Sequence, residues 1–437
     1  MKKGFDRIIG YEAIKTELAR ISDSLKNNEA YAKLGVSAPK GLLLYGEPGV
    51  GKTIMANAVI EESGRKAFVC RKDLPNGAFV KAIKSVFAKA KEAAPSIVFL
   101  DDMDKFANGD EEHPDAEEYI TVQSCIDALK GSEVFVLATA NSIESLPFSL
   151  LRAGRFDRVI EVEAPRDEDA VKIVEHYLDR KGFVSGIDAV FLARVLDGRS
   201  CAELETVINE AGLYAGYERK GCITMDHFLE ACLRMLFDVP PTNNSVKGDD
   251  WHTALSDGND TRSQIVYHEA GHAVISEVLF PQSVTLVSTH SVDGRFGGFT
   301  SCYRDRKIAP LLWQQRNIVV GLGGMAAVEQ KYGIADSGAE RDLDQAFDMV
   351  RDLVVNNCVC GFSLHEANYR ISETLRSRQE QIVASEIEKY YRKAKQILAC
   401  NRGFLDGVAA ALAQKHLLSS FDIEQIKNEC EIVAVAM

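Results

Sequence analysis

The stretch Gly46-Glu47-Pro48-Gly49-Val50-Gly51-Lys52-Thr53 decides the first half of the fold. It fits the spacing G-x-x-x-x-G-K-[ST] of a phosphate-cradling loop. The flanks suit that reading. Gly41-Leu42-Leu43-Leu44-Tyr45 before it is a short apolar run, as in a buried parallel strand, and Ile54 to Ile60 after it reads as a helix. A strand–loop–helix turn leaves consecutive backbone N–H groups at a helix N-terminus, where they can hold an anion. Lys52 then reaches the β- and γ-phosphates of a nucleotide such as ATP, and Thr53 offers a hydroxyl to Mg²⁺. The competing reading, a chance glycine loop, leaves both flanks unexplained.

Further apolar runs continue the pattern. Ala67 to Cys70, Ser96 to Leu100, Glu133 to Thr139 and Val159 to Val162 read as strands, with helical spacing at Tyr11 to Asn27 and Phe79 to Ala93. Strands alternating with helices imply a parallel α/β sheet covered on both faces. Residues 108–118 read as an exposed acidic loop. From Asp167 to Phe237 the pattern is helical throughout. Pro240-Pro241-Thr242-Asn243-Asn244-Ser245 opens a polar connection, and the remainder looks mainly helical with one β-like stretch near Val284 to Tyr303. The expected division is 1–166 for the α/β part, 167–238 for a helical lid, 239–260 for a linker and 261–437 for a second domain.

Composition narrows the function. The 437 residues are 46% hydrophobic and 26% charged, the balance of a globular protein. A formal net charge of −13 without a Lys/Arg-rich run argues against nucleic acid as the main partner. The ten cysteines lack CxxC spacing, and only Cys358-Val359-Cys360 comes near a pair, so reduced thiols in a cytoplasmic protein are expected. No signal peptide opens the chain, and no apolar run approaches the ~20 residues of a membrane span.

Within the α/β part, Asp101 ends a strand neighbouring the phosphate loop and suits Mg²⁺. Asp102 is the candidate for orienting the attacking water, and Asn141, ending the next strand, for polarising that water or the γ-phosphate. Acids at strand ends also occur as plain caps. A second constellation is His268-Glu269-Ala270-Gly271-His272. Two histidines one helical turn apart project from one face, as a shared Zn²⁺ requires, and Glu269 beside them suits a general base. A pair of core or capping histidines is the structural alternative. Catalytic zinc needs a third ligand. In the amphipathic stretch after Ser337-Gly338-Ala339-Glu340-Arg341, Asp342 shares the inward face with Ala346, Met349 and Leu353, whereas Asp344 points to solvent. The expected apolar stripe comprises Leu343, Ala346, Phe347, Val350, Leu353 and Val354. An inward carboxylate needs a partner, either a metal or a buried cation.

Two resemblances follow from these residues. Thr139-Ala140-Asn141 with Leu150-Leu151-Arg152-Ala153-Gly154-Arg155-Phe156-Asp157-Arg158 resembles the second region of homology of AAA ATPases. That resemblance implies that Arg155 and Arg158 act as arginine fingers on a neighbouring subunit's nucleotide, in a homo-oligomeric ring that is usually a hexamer. Read alone, three arginines so close together are also a solvated face. The phosphate loop followed by His268-Glu269-Ala270-Gly271-His272 and by Ser337 to Leu343 resembles the FtsH family of ATP-dependent zinc metalloproteases, almost end to end. It implies an α/β P-loop AAA+ module, with parallel sheet and helical lid, followed by a mainly α-helical zinc metalloprotease domain. It also implies Zn²⁺ on His268, His272 and Asp342, Glu269 as catalytic base, ATP and Mg²⁺ as cofactors, and polypeptide substrates docking beside Gly297-Gly298-Phe299-Thr300.

Four departures from that family pattern stand out. Members carry transmembrane segments ahead of the ATPase, and this sequence starts where that module starts, which reads as a soluble relative or a trimmed form. Asp102 replaces a glutamate, a shortening of about an ångström that can cost on the order of a hundredfold in rate. Leu74-Pro75-Asn76-Gly77 replaces the aromatic pore grip, with Phe79 as the nearest substitute. The Asp-Gly-Phe coupling element has no counterpart around Ala128-Leu129-Lys130-Gly131. All the losses fall on the motor side. The alternatives to an ATP-driven protease are a non-proteolytic AAA remodelling factor and an ATP-gated peptidase with little hydrolysis.

Overall fold

The computed structural model describes residues 4–437 apart from 74, 107–115, 153, 182–185, 238–254, 256–257, 291–296, 304–309, 337, 366–371 and 436. Most of the acidic loop and of the linker expected from the sequence lies outside the described residues, as does Leu74. The chain forms two compact units, Met1–Phe228 and Leu229–Met437.

The first unit opens with α1 (Glu12–Lys26), α2 (Asn28–Ala32), β1 (Gly41–Tyr45), α3 (Lys52–Ser63) and β2 (Lys66–Cys70). It continues through α4 (Asn76–Glu92), β3 (Ser96–Leu100), α5 (Ala116–Asp127), β4 (Val134–Ala140) and β5 (Arg158–Glu161). The strands form one parallel sheet in the order β2-β3-β4-β1-β5, so the ends of β1, β3 and β4 lie side by side. Helices cover both faces, which is why these central strands read as unbroken apolar runs. On one face Leu43, Val98, Leu100, Val136 and Ala138 meet Phe79, Ile83 and Phe87 of α4 and Val122 and Ile126 of α5. α6 (Asp167–Asp179), α7 (Ala189–Val195), α8 (Cys201–Tyr217) and α9 (Met225–Leu236) follow.

The second unit is built around α10 (Thr261–Leu279), buried almost all round from Val266 onward. Around it lie β6 (Val284–Ser288), β7 (Phe299–Cys302), α11 (Pro310–Gly321), α12 (Gly323–Tyr332), α13 (Glu340–Val355), α14 (Glu373–Cys400), α15 (Arg402–Lys415), β8 (Leu417–Ser419) and α16 (Ser420–Asn428). The expected β-like stretch is two antiparallel strands. A third, β8, pairs with β6 on its other side, so the order is β7-β6-β8 and β7 is the edge. The fold class expected from the sequence is the one observed.

Two aromatic assignments need correction. Phe79 is 1% exposed and packs edge-on against Phe106 at 5.1 Å, so it belongs to the core and offers nothing to a pore. The helix turns it inward because positions 79, 83 and 87 share one face. Phe347, expected in the buried stripe of α13, is 36% exposed; Ala346, Val350, Leu353 and Val354 form the buried side.

Candidate active sites

The phosphate loop joins β1 to α3 at the carboxyl edge of the parallel sheet, where doubly wound folds bind ligands. Gly51 caps α3 with φ 103°, a left-handed conformation natural only to glycine. Lys52 Nζ donates to the carbonyls of Gly46 (2.7 Å) and Glu47 (2.8 Å) and to Asn141 Oδ1 (3.1 Å). Burial pulls the Lys52 pKa down. Asp101 Oδ1 accepts from Thr139 Oγ1 (2.9 Å) and Thr53 Oγ1 (3.4 Å). The structure thus brings together Lys52, Thr53, Asp101 and Asn141, as a Mg²⁺–nucleotide site needs. α8 adjoins the same loop: Ala202 N–H donates to Gly49 O (3.1 Å), and Ser200 caps α8 in a capping box with Glu203.

Asp101 and Asp102 already face a cation each. Arg71 Nε lies 2.9 Å from Asp101 Oδ2, and its terminal nitrogen reaches the same oxygen. Asp102 adopts a left-handed backbone, and Lys105 Nζ holds its Oδ2 at 2.7 Å. The carboxylate contacting Asn141 is Asp104 instead: its Oδ2 accepts from Asn141 Nδ2 (3.1 Å), while its buried Oδ1 has no hydrogen-bond partner. Asp104 was not singled out in the sequence, although it sits two residues from Asp102. Arg155 is tied to Asp127 of its own chain through Nε (3.1 Å) and a terminal nitrogen (2.7 Å). Arg158 is exposed at the start of β5.

In the second unit, α10 places His268 and His272 on one face with their Nε2 atoms 3.0 Å apart. Asp342, in the first turn of α13, brings Oδ2 to 2.9 Å from His268 Nε2 and 3.2 Å from His272 Nε2. Ligands at Zn–N distances near 2.0 Å on a tetrahedron are separated by about 3.3 Å, so the triangle fits that ion. The chemistry fits too. His272 Nδ1 faces the Val320 carbonyl at 2.8 Å, which fixes its proton there and turns its Nε2 lone pair inward. His268 Nδ1 faces Asp336 Oδ2 at 2.5 Å. With both rings neutral, lone pairs from three residues meet at one point, as a bound cation requires. Burial alone would lower the His268 pKa, but Asp336 and Asp342 outweigh it and push it up to about 10. Burial raises Asp342, but the two imidazoles outweigh it and leave its pKa depressed.

Glu269 is buried beside the triangle, and that burial raises its pKa. Thr300 Oγ1 on β7 contacts both its Oε2 (2.8 Å) and its backbone carbonyl (3.1 Å). Gly324 of α12 leaves room for His268: a Cβ there would lie 2.4 Å from the ring. A cavity of ≈ 770 Å³ opens over these residues, bounded by the edge strand at Phe299 and Thr300 and by Trp313 and Met349. Asp336 and Thr300 were not picked out as functional in the sequence; their positions matter only once residues distant in sequence meet.

These are the two centres of an ATPase joined to a metallopeptidase. Residues 42–164 match the ATPase family associated with various cellular activities (AAA), and residues 257–426 match peptidase family M41. The chain thus carries the AAA and peptidase M41 modules in the order found in FtsH-type zinc metalloproteases, to which it is similar over almost its whole length. It is 28% identical over 97% of its length to ATP-dependent zinc metalloprotease FtsH 2 of Thermoanaerobacter sp., covering 83% of that protein. The FtsH of Pelobacter propionicus is 29% identical, with 98% and 71% of the two chains covered. That of Mycoplasma pneumoniae is 30% identical, with 98% and 62% covered. Among the described residues no helix is long and apolar enough to cross a membrane.

Proposed function

We propose that the chain is an ATP-dependent zinc endopeptidase acting on polypeptides. His268, His272 and Asp342 would hold Zn²⁺, which when bound would supply polarisation of the scissile carbonyl and a more acidic water. Glu269 takes the proton from the attacking water and passes it to the departing amine. A peptide pairs along the edge strand β7, with Phe299 and Thr300 next to the base. The single observation that carries this reading is the convergence of two Nε2 atoms and Asp342 Oδ2 within 3.2 Å of one another, beside a buried glutamate. Zinc content and casein cleavage, compared between the native chain and Glu269→Gln, test it: the variant keeps zinc and loses cleavage.

On the nucleotide side, the 46–53 loop and Asp101 bind ATP with Mg²⁺, Asn141 and Asp102 address the γ-phosphate and its water, and Arg158 with Arg155 reach a neighbouring protomer. Arg155 must first leave Asp127. The working assembly in this reading is a hexameric ring in the cytoplasm, with the 167–238 segment as the lid of each ATPase. Unfolding power is reduced, because Asp102 is short and turned to Lys105 and because Phe79 is buried. The same observations favour a second reading, a peptidase gated by nucleotide binding with little turnover. ATPase rates of native protein and Asp102→Glu distinguish the two.

A further inference from the structure

An imidazole that offers Nε2 to a metal must carry its proton on Nδ1, and the acceptor facing Nδ1 decides how firmly that tautomer is held. The two histidines differ on this point. His272 faces a neutral carbonyl, that of Val320, whereas His268 faces the carboxylate of Asp336 at 2.5 Å. The Asp336 side chain is only 3% exposed. Its other oxygen accepts the Gly338 N–H at 2.8 Å, so both oxygens are fixed. On the ring's other side, Gly324 leaves no space for a side chain. Asp336 and Asp342 come from one short segment, so His268 is gripped from Nδ1 and from Nε2 by two carboxylates of the same stretch.

Burying a third carboxylate beside Asp342 and Glu269 is costly unless a cation balances it. Asparagine could accept the same Gly338 N–H without that cost, so the turn alone does not explain an acid here. Resting on the zinc reading above, we infer that Asp336 is a positioning residue for the metal. Its carboxylate fixes the His268 tautomer, raises the basicity of Nε2 and holds the ring towards Asp342. It touches neither substrate nor the reacting atoms.

The test uses the full-length chain, stripped of metal and titrated with Zn²⁺ against a chromophoric chelator, with Co²⁺ substitution as a spectroscopic readout. Asp336→Asn is expected to weaken Zn²⁺ binding about ten- to a hundredfold and to shift the visible Co²⁺ bands, with the metal-free unfolding midpoint unchanged. Asp344→Asn, on the solvent side of α13, serves as control and leaves both readouts at native values. Asp336→Glu keeps the charge and is expected to retain zinc better than Asp336→Asn. Native affinity with a native Co²⁺ spectrum in Asp336→Asn overturns the inference, as do equal losses in the Asn and Glu variants. If Asp336→Asn fails to fold, Asp336→Glu decides: zinc held within about tenfold of native supports the role, and complete loss overturns it. A native chain that binds no zinc at all would instead sink the peptidase reading and this inference with it.

Discussion

The two centres balance their charges in opposite ways. Around His268, His272, Asp336 and Asp342, no Lys or Arg ion pair forms among the described residues, and lone pairs face one another across 3 Å. At the nucleotide centre three acids have cations of their own, Arg71 for Asp101, Lys105 for Asp102 and Arg155 for Asp127, while Asp104 contacts the neutral Asn141. The first centre brings together three groups that could hold a divalent ion, with no Lys or Arg paired to them among the described residues. At the second, Asp101 and Asp102 already hold basic side chains. In the function proposed above, Mg²⁺ and nucleotide compete with those partners, and the expected outcome is a preorganised peptidase fed by a slow motor.

The comparison breaks most visibly if the centres cannot be silenced separately. Glu269→Gln should lower peptide cleavage by about a hundred- to ten-thousand-fold, with ATP hydrolysis unchanged in the same preparation. Lys52→Ala should reduce ATP hydrolysis on the order of a hundredfold or more, while a short unstructured peptide is still cut. Loss of that peptidase activity would mean that the zinc centre depends on nucleotide for its geometry. Asp102→Glu sharpens the contrast: a longer carboxylate should raise the ATPase rate, on the order of tenfold, measured by phosphate release. If it does not, and Asp104→Asn abolishes turnover, the water-orienting acid is Asp104. The smallest effect is expected from Arg71→Ala. It removes an exposed guanidinium that competes with Mg²⁺ for Asp101, so the Mg²⁺ concentration for half-maximal ATPase should fall severalfold; a rise would make Arg71 a helper.

The parts that were legible in the sequence depend on neighbours along the chain. β1 runs Gly41–Tyr45 as expected, because an apolar run ending at a glycine-rich loop carries its own boundaries. The pair His268 and His272 and the inward aim of Asp342 follow from helical spacing alone. What failed needed tertiary knowledge. β8 is three residues long and exists only because Leu417–Ser419 meets β6, over a hundred residues earlier. Phe79, the nearest substitute for a pore aromatic in the sequence, faces the core because it shares one face of α4 with Ile83 and Phe87. Asp336 looks like an ordinary turn residue before Gly338, and its value appears only when His268 arrives beside it. Arg71 could have been found: β2 and β3 pair in parallel with Cys70 opposite Leu100, so the next residues, Arg71 and Asp101, fall side by side.

The most direct test of the peptidase centre is the metal content of the purified full-length chain, measured by elemental analysis before and after Asp342→Ala. One zinc per chain is expected in the native protein, with loss of that zinc and of casein cleavage in the variant. Native protein that cleaves casein without stoichiometric metal, or an Asp342→Ala variant that keeps its zinc, would contradict the three-ligand site.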